Sequence, residues 1–119
     1  MARILIADDE PMISLLLVDW LEELGHQAAG PARDVASALA LIGAGPLDGA
    51  IVDVGLGRET GYPIAARLSE LGIPFVFGTG RAEGTLQPPF TDARVLTKPF
   101  GHGDVEAAVA WMLANRRGS

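Results

Sequence analysis

The sequence contains no cysteine and only one lysine, Lys98, among its 119 residues. The absence of cysteine excludes disulfide bonds and thiolate metal sites, and it suits a reducing compartment. Aromatic residues make up only 6% of the chain, and the formal net charge is −6. An acidic chain lacks the excess of lysine and arginine that neutralises nucleic-acid phosphates, so we expect no nucleic-acid partner.

Long hydrophobic runs are also missing, although 49% of the residues are hydrophobic. The first apolar run, at residues 4–7, meets Asp8 and is too short for a signal peptide or a membrane span. We therefore expect a cytoplasmic domain with no membrane partner. A chain of this length fits one domain with its own core. We expect residues 1–119 to form that single domain, with no effector domain in this chain.

Strand-like apolar segments alternate with helix-like amphipathic segments along the whole chain. The predicted strands cover residues 2–7, 27–31, 48–53, 73–79 and 94–97. The predicted helices cover residues 11–24, 35–43, 61–71 and 103–115, with Asp34 and Thr60 as N-cap residues of the second and third. The segment 80–93, rich in glycine and proline, predicts one more short helix near 82–87 and the most mobile part of the chain. This alternation predicts an α/β fold, with a five-stranded parallel sheet covered by helices on both faces.

Four of the predicted strands end on polar or charged residues that a core strand does not need. Asp8-Asp9 follow the first strand and Asp53 ends the third, while Thr79 and Lys98 end the fourth and fifth. Because parallel strands carry their chemistry beyond their carboxyl ends, these residues are expected at one edge of the sheet.

Three carboxylates at one edge would repel each other and need a compensating cation. Mg²⁺ prefers oxygen ligands of this kind, so Asp8, Asp9 and Asp53 predict a magnesium site. Taken alone, Asp8 and Asp9 fit capping of the first helix better than a metal site, and Asp53 is equally compatible with a solvated strand end; a second acid at another strand end reverses that preference.

A carboxylate placed as Asp53 is can attack a phosphoryl group and form an acyl phosphate. Such a transfer depends mainly on in-line placement and on neutralising the charge of the phosphoryl oxygens. The Lys98 ammonium and the Thr79 hydroxyl can both contribute to that neutralisation. In isolation, Lys98 is also compatible with a surface lysine before a turn proline, and Thr79 with a loop threonine.

The combination of Asp8-Asp9, Asp53, Thr79 and Lys98-Pro99 resembles the receiver domain of two-component response regulators. The resemblance covers the whole chain and implies the flavodoxin-like (βα)₅ fold with strand order 2-1-3-4-5. It implies that Asp53 accepts a phosphoryl group from the phosphohistidine of a sensor histidine kinase or a histidine phosphotransfer protein. The chain would then be a signalling switch that catalyses only its own phosphorylation and dephosphorylation.

The resemblance also implies a role for each site residue. Asp9, Asp53 and the Gly55 carbonyl would bind Mg²⁺, and Asp8 would act through water. Thr79 would be the switch hydroxyl, and Lys98 the phosphate partner before a cis proline. A downstream protein partner is expected on the face formed by residues 80–115.

Residues 74–80 are similar to the Phe-Ala-Thr-Gly-Tyr strand of the FATGUY receivers, common among alphaproteobacterial single-domain regulators. Gly61 also matches the receiver pattern. Val95 stands where most receivers have Tyr or Phe, and Gly57 stands where most have Pro. Without that aromatic residue, the response to phosphorylation is expected in the segment 80–93.

Two other functional classes remain open at this point. A small Mg²⁺-dependent phosphatase or phosphotransferase of the haloacid dehalogenase type also uses a strand-end aspartate. Such enzymes place a second aspartate two residues later, where this sequence has Gly55. A phosphorylation-independent interaction module would not need all five site groups, which this chain retains.

Overall fold

Strands and helices alternate along the chain in the computed structural model, which describes residues 1–80 and 86–116. The elements are β1 (Arg3–Ala7), α1 (Pro11–Glu23), β2 (Gln27–Ala32), α2 (Val35–Ala44), β3 (Gly49–Asp53), β4 (Gly55–Leu56), β5 (Glu59–Thr60), α3 (Tyr62–Glu70), β6 (Phe75–Thr79), β7 (Val95–Thr97) and α4 (His102–Asn115). Within these ranges, no helix is both long enough and apolar enough to cross a membrane.

Five strands form one parallel sheet in the order β2-β1-β3-β6-β7. If the two strands of the small β4-β5 hairpin are left out of the count, this is the predicted order 2-1-3-4-5. The fold prediction is therefore confirmed. The order places β1 and β3 side by side at the centre, so their carboxyl ends are adjacent.

Helices cover both faces of the sheet, because neighbouring residues of each strand point to opposite sides. Leu5 packs in a core with Ile42 of α2 and Ile64 of α3. Ile4 packs on the other face with Leu17 of α1 and Val109 of α4. Burial on both faces explains why the central strands read as continuous apolar runs in the sequence.

A local sequence signal accounts for the start of α2 but not for the start of α3. The Asp34 carboxylate caps α2 by accepting a hydrogen bond from the Ser37 N–H at 2.8 Å, as predicted. Thr60 does not cap α3, because it pairs with Gly55 in the β4-β5 hairpin and its backbone is committed to that ladder. Gly61 takes the N-cap position instead, without a side-chain hydrogen bond.

The segment after β6 is described only from residue 86 onward. Residues 86–94 form turns and irregular backbone with no helix. Residues 82–85 of the helix predicted near 82–87, and residues 81–85 of the predicted mobile segment, lie outside the described residues.

Candidate functional site

Four of the predicted site residues lie at the carboxyl edge of the sheet. Asp53 is the last residue of β3 and Thr79 is the last residue of β6. Asp8 directly follows β1, and Lys98 directly follows β7. The Lys98 N–H donates to the Thr79 carbonyl at 2.7 Å, which ties the ends of β6 and β7 together. The parallel register thus brings residues from distant parts of the chain to one place.

The Lys98 ammonium lies at the centre of a charged network. Its Nζ is 2.9 Å from Asp53 Oδ2, 2.8 Å from Glu10 Oε1 and 3.6 Å from Asp8 Oδ2. Asp8 and Asp53 are each only 4% exposed, so water screens these charges weakly. One cation faces three carboxylates, which leaves an excess of negative charge when all three are ionised.

Burial changes the pKa values of the charged groups at this edge. The pKa of Asp53 rises to about 6, mainly because burial disfavours the carboxylate and secondarily because Asp8 repels it, while the hydrogen bond from Lys98 opposes the rise. Burial also raises the pKa of Asp8. Burial alone would lower the pKa of Lys98, but its hydrogen bonds to Glu10 and Asp53 reverse that effect and raise the pKa above the ordinary value.

Backbone hydrogen bonds orient the two buried carboxylates. The Glu10 N–H donates to Asp8 Oδ1 at 2.9 Å, and the Gly55 N–H lies 3.4 Å from Asp53 Oδ1. The Ser14 hydroxyl of α1 donates to the Asp8 carbonyl at 3.3 Å. The turn between β1 and α1 is therefore fixed at both of its ends.

The carboxylates of this edge fit a hard divalent cation. In the described parts of the chain, one oxygen from each of Asp8, Glu10 and Asp53 lies within 4.8 Å of the other two. Oxygen donors with net negative charge are what Mg²⁺ selects over softer ligand sets. The donor chemistry therefore agrees with the predicted magnesium site, although the three acids are not the three that the sequence suggested.

Two predicted ligands stand outside that group. Asp9 is directed toward Gly57, such that a Cβ atom placed on Gly57 would lie 3.7 Å from Asp9 Oδ2. The Gly55 N–H donates to Asp53 Oδ1, and this contact leaves the Mg²⁺ role predicted for the Gly55 carbonyl untested. The roles of Asp9 and of the Gly55 carbonyl as metal ligands stay predictions.

Glu10 is the residue that sequence reasoning missed. Its carboxylate makes the shortest contact to Lys98 in the network. The signal in the sequence was the run of three acids at residues 8–10 together with a single lysine that needs anionic partners. That signal could not be read without knowing that the turn after β1 faces the end of β7.

Gly61 allows α3 to start directly beside the backbone of Asp53. A Cβ atom on Gly61 would collide with the Asp53 carbonyl oxygen and would lie 2.6 Å from Val52 Cγ1. The Gly61 N–H also donates to the Val54 carbonyl at 2.9 Å. Glycine at this position therefore fixes the loop between the Asp53 strand and α3.

An aromatic cluster lies behind the site, on the face of the sheet covered by α2 and α3. Tyr62 of α3 stacks on Phe90, with ring centroids 6.0 Å apart, and both rings contact Phe77 of β6. The Gln87 N–H donates to the Tyr62 hydroxyl oxygen at 3.0 Å. The segment after β6 is therefore attached to the strand that ends in Thr79. Val95, by contrast, is 42% exposed and offers no ring.

Comparisons of this chain with known proteins agree on one family. The family model described as "Response regulator receiver domain" matches residues 4–110. The transcriptional regulatory protein PdtaR of Mycobacterium tuberculosis is 32% identical over 111 residues, which cover 90% of this chain and 54% of PdtaR. This chain thus spans about half the length of that curated relative.

Two solved structures are similar over nearly their full length. The solution structure of SdrG from Sphingomonas melonis has 42% identity and a TM-score of 0.84, and the match covers 95% of this chain and 97% of SdrG. The receiver domain of PhyR from Erythrobacter litoralis has 26% identity and a TM-score of 0.85, with 99% and 94% covered. These similarities agree with the fold described above.

Proposed function

This chain belongs to the response regulator receiver domain family, whose members are phosphoacceptors of two-component signalling, and we propose that it accepts the phosphoryl group on Asp53. The donor would be the phosphohistidine of a sensor histidine kinase or of a histidine phosphotransfer protein. The observation that supports this proposal best is the position of Asp53. Its buried carboxylate ends the central strand β3, 2.9 Å from the only lysine in the chain.

The proposed transfer makes one bond and breaks one bond. A carboxylate oxygen of Asp53 attacks phosphorus, a P–O bond forms, and the P–N bond to the donor imidazole breaks. The bonding electrons leave with the imidazole nitrogen. With a pKa of about 6, the Asp53 carboxyl is mostly ionised near neutral pH, so the attacking form is available. Lys98 is placed to neutralise charge on the phosphoryl oxygens.

Receiver domains bind Mg²⁺ through an acidic cluster, and the cluster of Asp8, Glu10 and Asp53 fits that role in its donor atoms. We propose that Asp9, Asp53 and the Gly55 carbonyl hold the cation, with Asp8 acting through water. When bound, Mg²⁺ supplies charge neutralisation at the phosphoryl oxygens. The side chains of the protein hold the acceptor and the lysine in place.

We further propose that Thr79 and the segment 80–93 transmit the change. Thr79 is 8% exposed at the end of β6, where its hydroxyl can meet a phosphoryl oxygen on the neighbouring strand. Phe77, two residues earlier, contacts Phe90. A shift at the end of β6 would therefore reach the described part of that segment through packed rings, without an aromatic residue at Val95.

Receiver domains are generally signalling modules rather than enzymes acting on other substrates, and they interact with kinases and with downstream partners. We propose the face of residues 80–115 as the surface for a downstream protein. In its described part, Val95 is exposed, and the Arg94 guanidinium carbon lies 5.3 Å from the centroid of the Trp111 ring. We also propose that the whole of residues 1–119 serves as one receiver domain and that it works in the cytoplasm, with no nucleic acid or membrane as partner.

The experiment that tests this function is incubation with Mg²⁺ and a small phosphodonor, followed by the intact mass of the protein. The proposal predicts one phosphoryl adduct in the wild type and none in Asp53→Asn. An adduct of equal yield in Asp53→Asn would contradict the role of Asp53. A wild type that takes no phosphoryl group would favour a phosphorylation-independent interaction module, whereas continuous turnover of the donor without an adduct would favour a phosphatase.

A further inference from the structure

Glu10 is held against Lys98 although most of its side chain is exposed. The Oε1–Nζ distance is 2.8 Å, while the Glu10 side chain is 56% exposed, compared with 5% for Asp8 and 4% for Asp53. Ordering a long exposed side chain costs conformational entropy, so such a contact persists only if the partner's charge compensates for that cost. Lys98 can bind Glu10 in addition to the buried carboxylates, because its ammonium has three N–H donors.

The side chain of Glu10 has no part in starting α1. Glu10 occupies the N-cap position with extended backbone, at φ −92° and ψ 112°, and makes no side-chain capping hydrogen bond. The cap contact comes from its backbone carbonyl, which accepts from the Ser14 N–H at 3.0 Å. Replacement of the carboxylate by an amide therefore leaves the start of the helix intact.

A phosphoryl group on Asp53 would compete with Glu10 for Lys98. The phosphoryl group adds oxygen acceptors and roughly 1.5 to 2 negative charges next to Nζ. Those oxygens would compete with the carboxylates that the Lys98 ammonium now meets, namely its hydrogen-bond acceptors Glu10 and Asp53 and its ion-pair partner Asp8. Asp8 is buried and would lose its ion pair without regaining water, whereas the exposed Glu10 carboxylate can return to water at little cost.

We propose that Glu10 is a positioning residue that holds Lys98 in the unphosphorylated protein and competes with the phosphoryl group for it. The inference rests on the proposed phosphoacceptor function. In the unphosphorylated protein, Glu10 keeps the Lys98 ammonium beside Asp53. Glu10 is released from Lys98 when the active state forms. Glu10 thereby sets how tightly the site holds a phosphoryl group. Removal of its charge should favour the state in which Lys98 is bound to phosphoryl oxygens.

The single lysine allows a direct test. Protein labelled with ¹³C only at the ε-carbon of lysine gives a single ε-carbon signal, which can be followed while beryllofluoride, a phosphoryl mimic, is added at saturating Mg²⁺. Wild type is compared with Glu10→Gln and with Glu70→Gln, which removes the same charge from the exposed Arg67–Glu70 pair at 3.4 Å. We expect Glu10→Gln to bind beryllofluoride up to roughly fivefold more tightly, the upper limit for one exposed ion pair. Glu70→Gln should bind as the wild type does.

The free proteins give a second readout that overall stability does not affect. The lysine signal of Glu10→Gln should differ from that of the wild type before any addition, and the signal of Glu70→Gln should not. Equal lysine signals, or equal or weaker beryllofluoride binding by Glu10→Gln, would overturn the role of Glu10. If the wild type itself binds no beryllofluoride, the proposed function fails, and the inference about Glu10 fails with it.

Discussion

At the scale of single residues, the charge at Asp53 and its surroundings determines both chemistry and stability. Two buried carboxyl groups, Asp8 and Asp53, have raised pKa values because folding removes them from water. Lys98 compensates for only part of that cost. The protein therefore holds a local excess of negative charge, which a divalent cation or a phosphoryl–cation pair can relieve.

The raised pKa of Asp53 makes a prediction about stability and pH in the absence of divalent cations. The pKa of Asp53 is raised from its ordinary value of 3.8 to about 6 in the folded state. Between these two pH values, the folded state binds more protons at Asp53 than the unfolded state does. The free energy of unfolding therefore falls as the pH rises through this window. Since one pKa unit corresponds to ~1.4 kcal/mol, we expect the free energy of unfolding to fall across this window by on the order of 3 kcal/mol because of Asp53.

Asp53→Asn should remove that contribution, and urea unfolding at both ends of the window measures it. The variant should be more stable than the wild type near neutral pH and should vary less with pH. Asp19→Asn, at an exposed position of α1, is the matched control and should keep the wild-type dependence. Parallel pH profiles for the wild type and Asp53→Asn would contradict the burial argument.

Asp9 allows a test of the proposed cation ligands. Addition of Mg²⁺ should raise the Tm of the wild type, because binding to the folded state alone stabilises it by mass action. Asp9→Asn should lose most of this increase if Asp9 is a direct ligand, while Glu70→Gln should retain it. A full Mg²⁺-dependent increase in Asp9→Asn, measured by thermal unfolding, would restrict the ligands to the group of Asp8, Glu10 and Asp53.

At the scale of elements, the loop between β3 and α3 depends on Gly61. Gly61→Ala should destabilise the protein by roughly 2–4 kcal/mol, because the added Cβ meets the fixed backbone of Asp53. Gly43→Ala is the control: a Cβ on this exposed residue of α2 would contact nothing within 4 Å. The control should be unchanged or up to ~1 kcal/mol more stable. Chemical unfolding measures both, and equal effects would contradict the close approach of Gly61.

The connection from β6 to the segment after it makes a prediction about dynamics. If the response runs through the segment 80–93, amide exchange there should change when beryllofluoride and Mg²⁺ bind. Within the described residues, the Gln87 amide is the most informative, because its N–H donates to Tyr62. Exchange rates in this segment that stay the same on binding would rule out this route, and Tyr62→Phe supplies a variant in which the Gln87 amide loses its acceptor.

At the scale of the whole molecule, much of the fold could be predicted because the sequence pattern of each strand agrees with the position of that strand in the sheet. The apolar runs of β1 and β3 are buried on both faces, and their polar ends lie where parallel strands place them. Asp8, Asp53, Thr79 and Lys98 could therefore be placed at one edge from sequence alone. The Lys98–Pro99 peptide bond is cis, as the family resemblance implied.

The parts that could not be predicted depend on tertiary contacts with weak local signals. The pairing of Gly55 with Thr60 forms a hairpin of two residues per strand, too short to leave a periodic pattern. Glu10 lies 88 positions before Lys98, so their contact follows from the sheet order and not from spacing. The aromatic cluster of Tyr62, Phe77 and Phe90 likewise joins α3, β6 and the irregular segment after β6.

Locating the phosphoryl group itself tests most directly whether Asp53 is the phosphoacceptor. After incubation with Mg²⁺ and a phosphodonor, borohydride reduces an aspartyl phosphate to homoserine, and peptide mass spectrometry identifies the modified residue. We expect homoserine at position 53 in the wild type, in place of Asp53, and unmodified Asp8 and Asp9. Homoserine at position 8 or 9 would contradict the role of Asp53. So would the absence of homoserine at every position when the phosphodonor is shown to be intact.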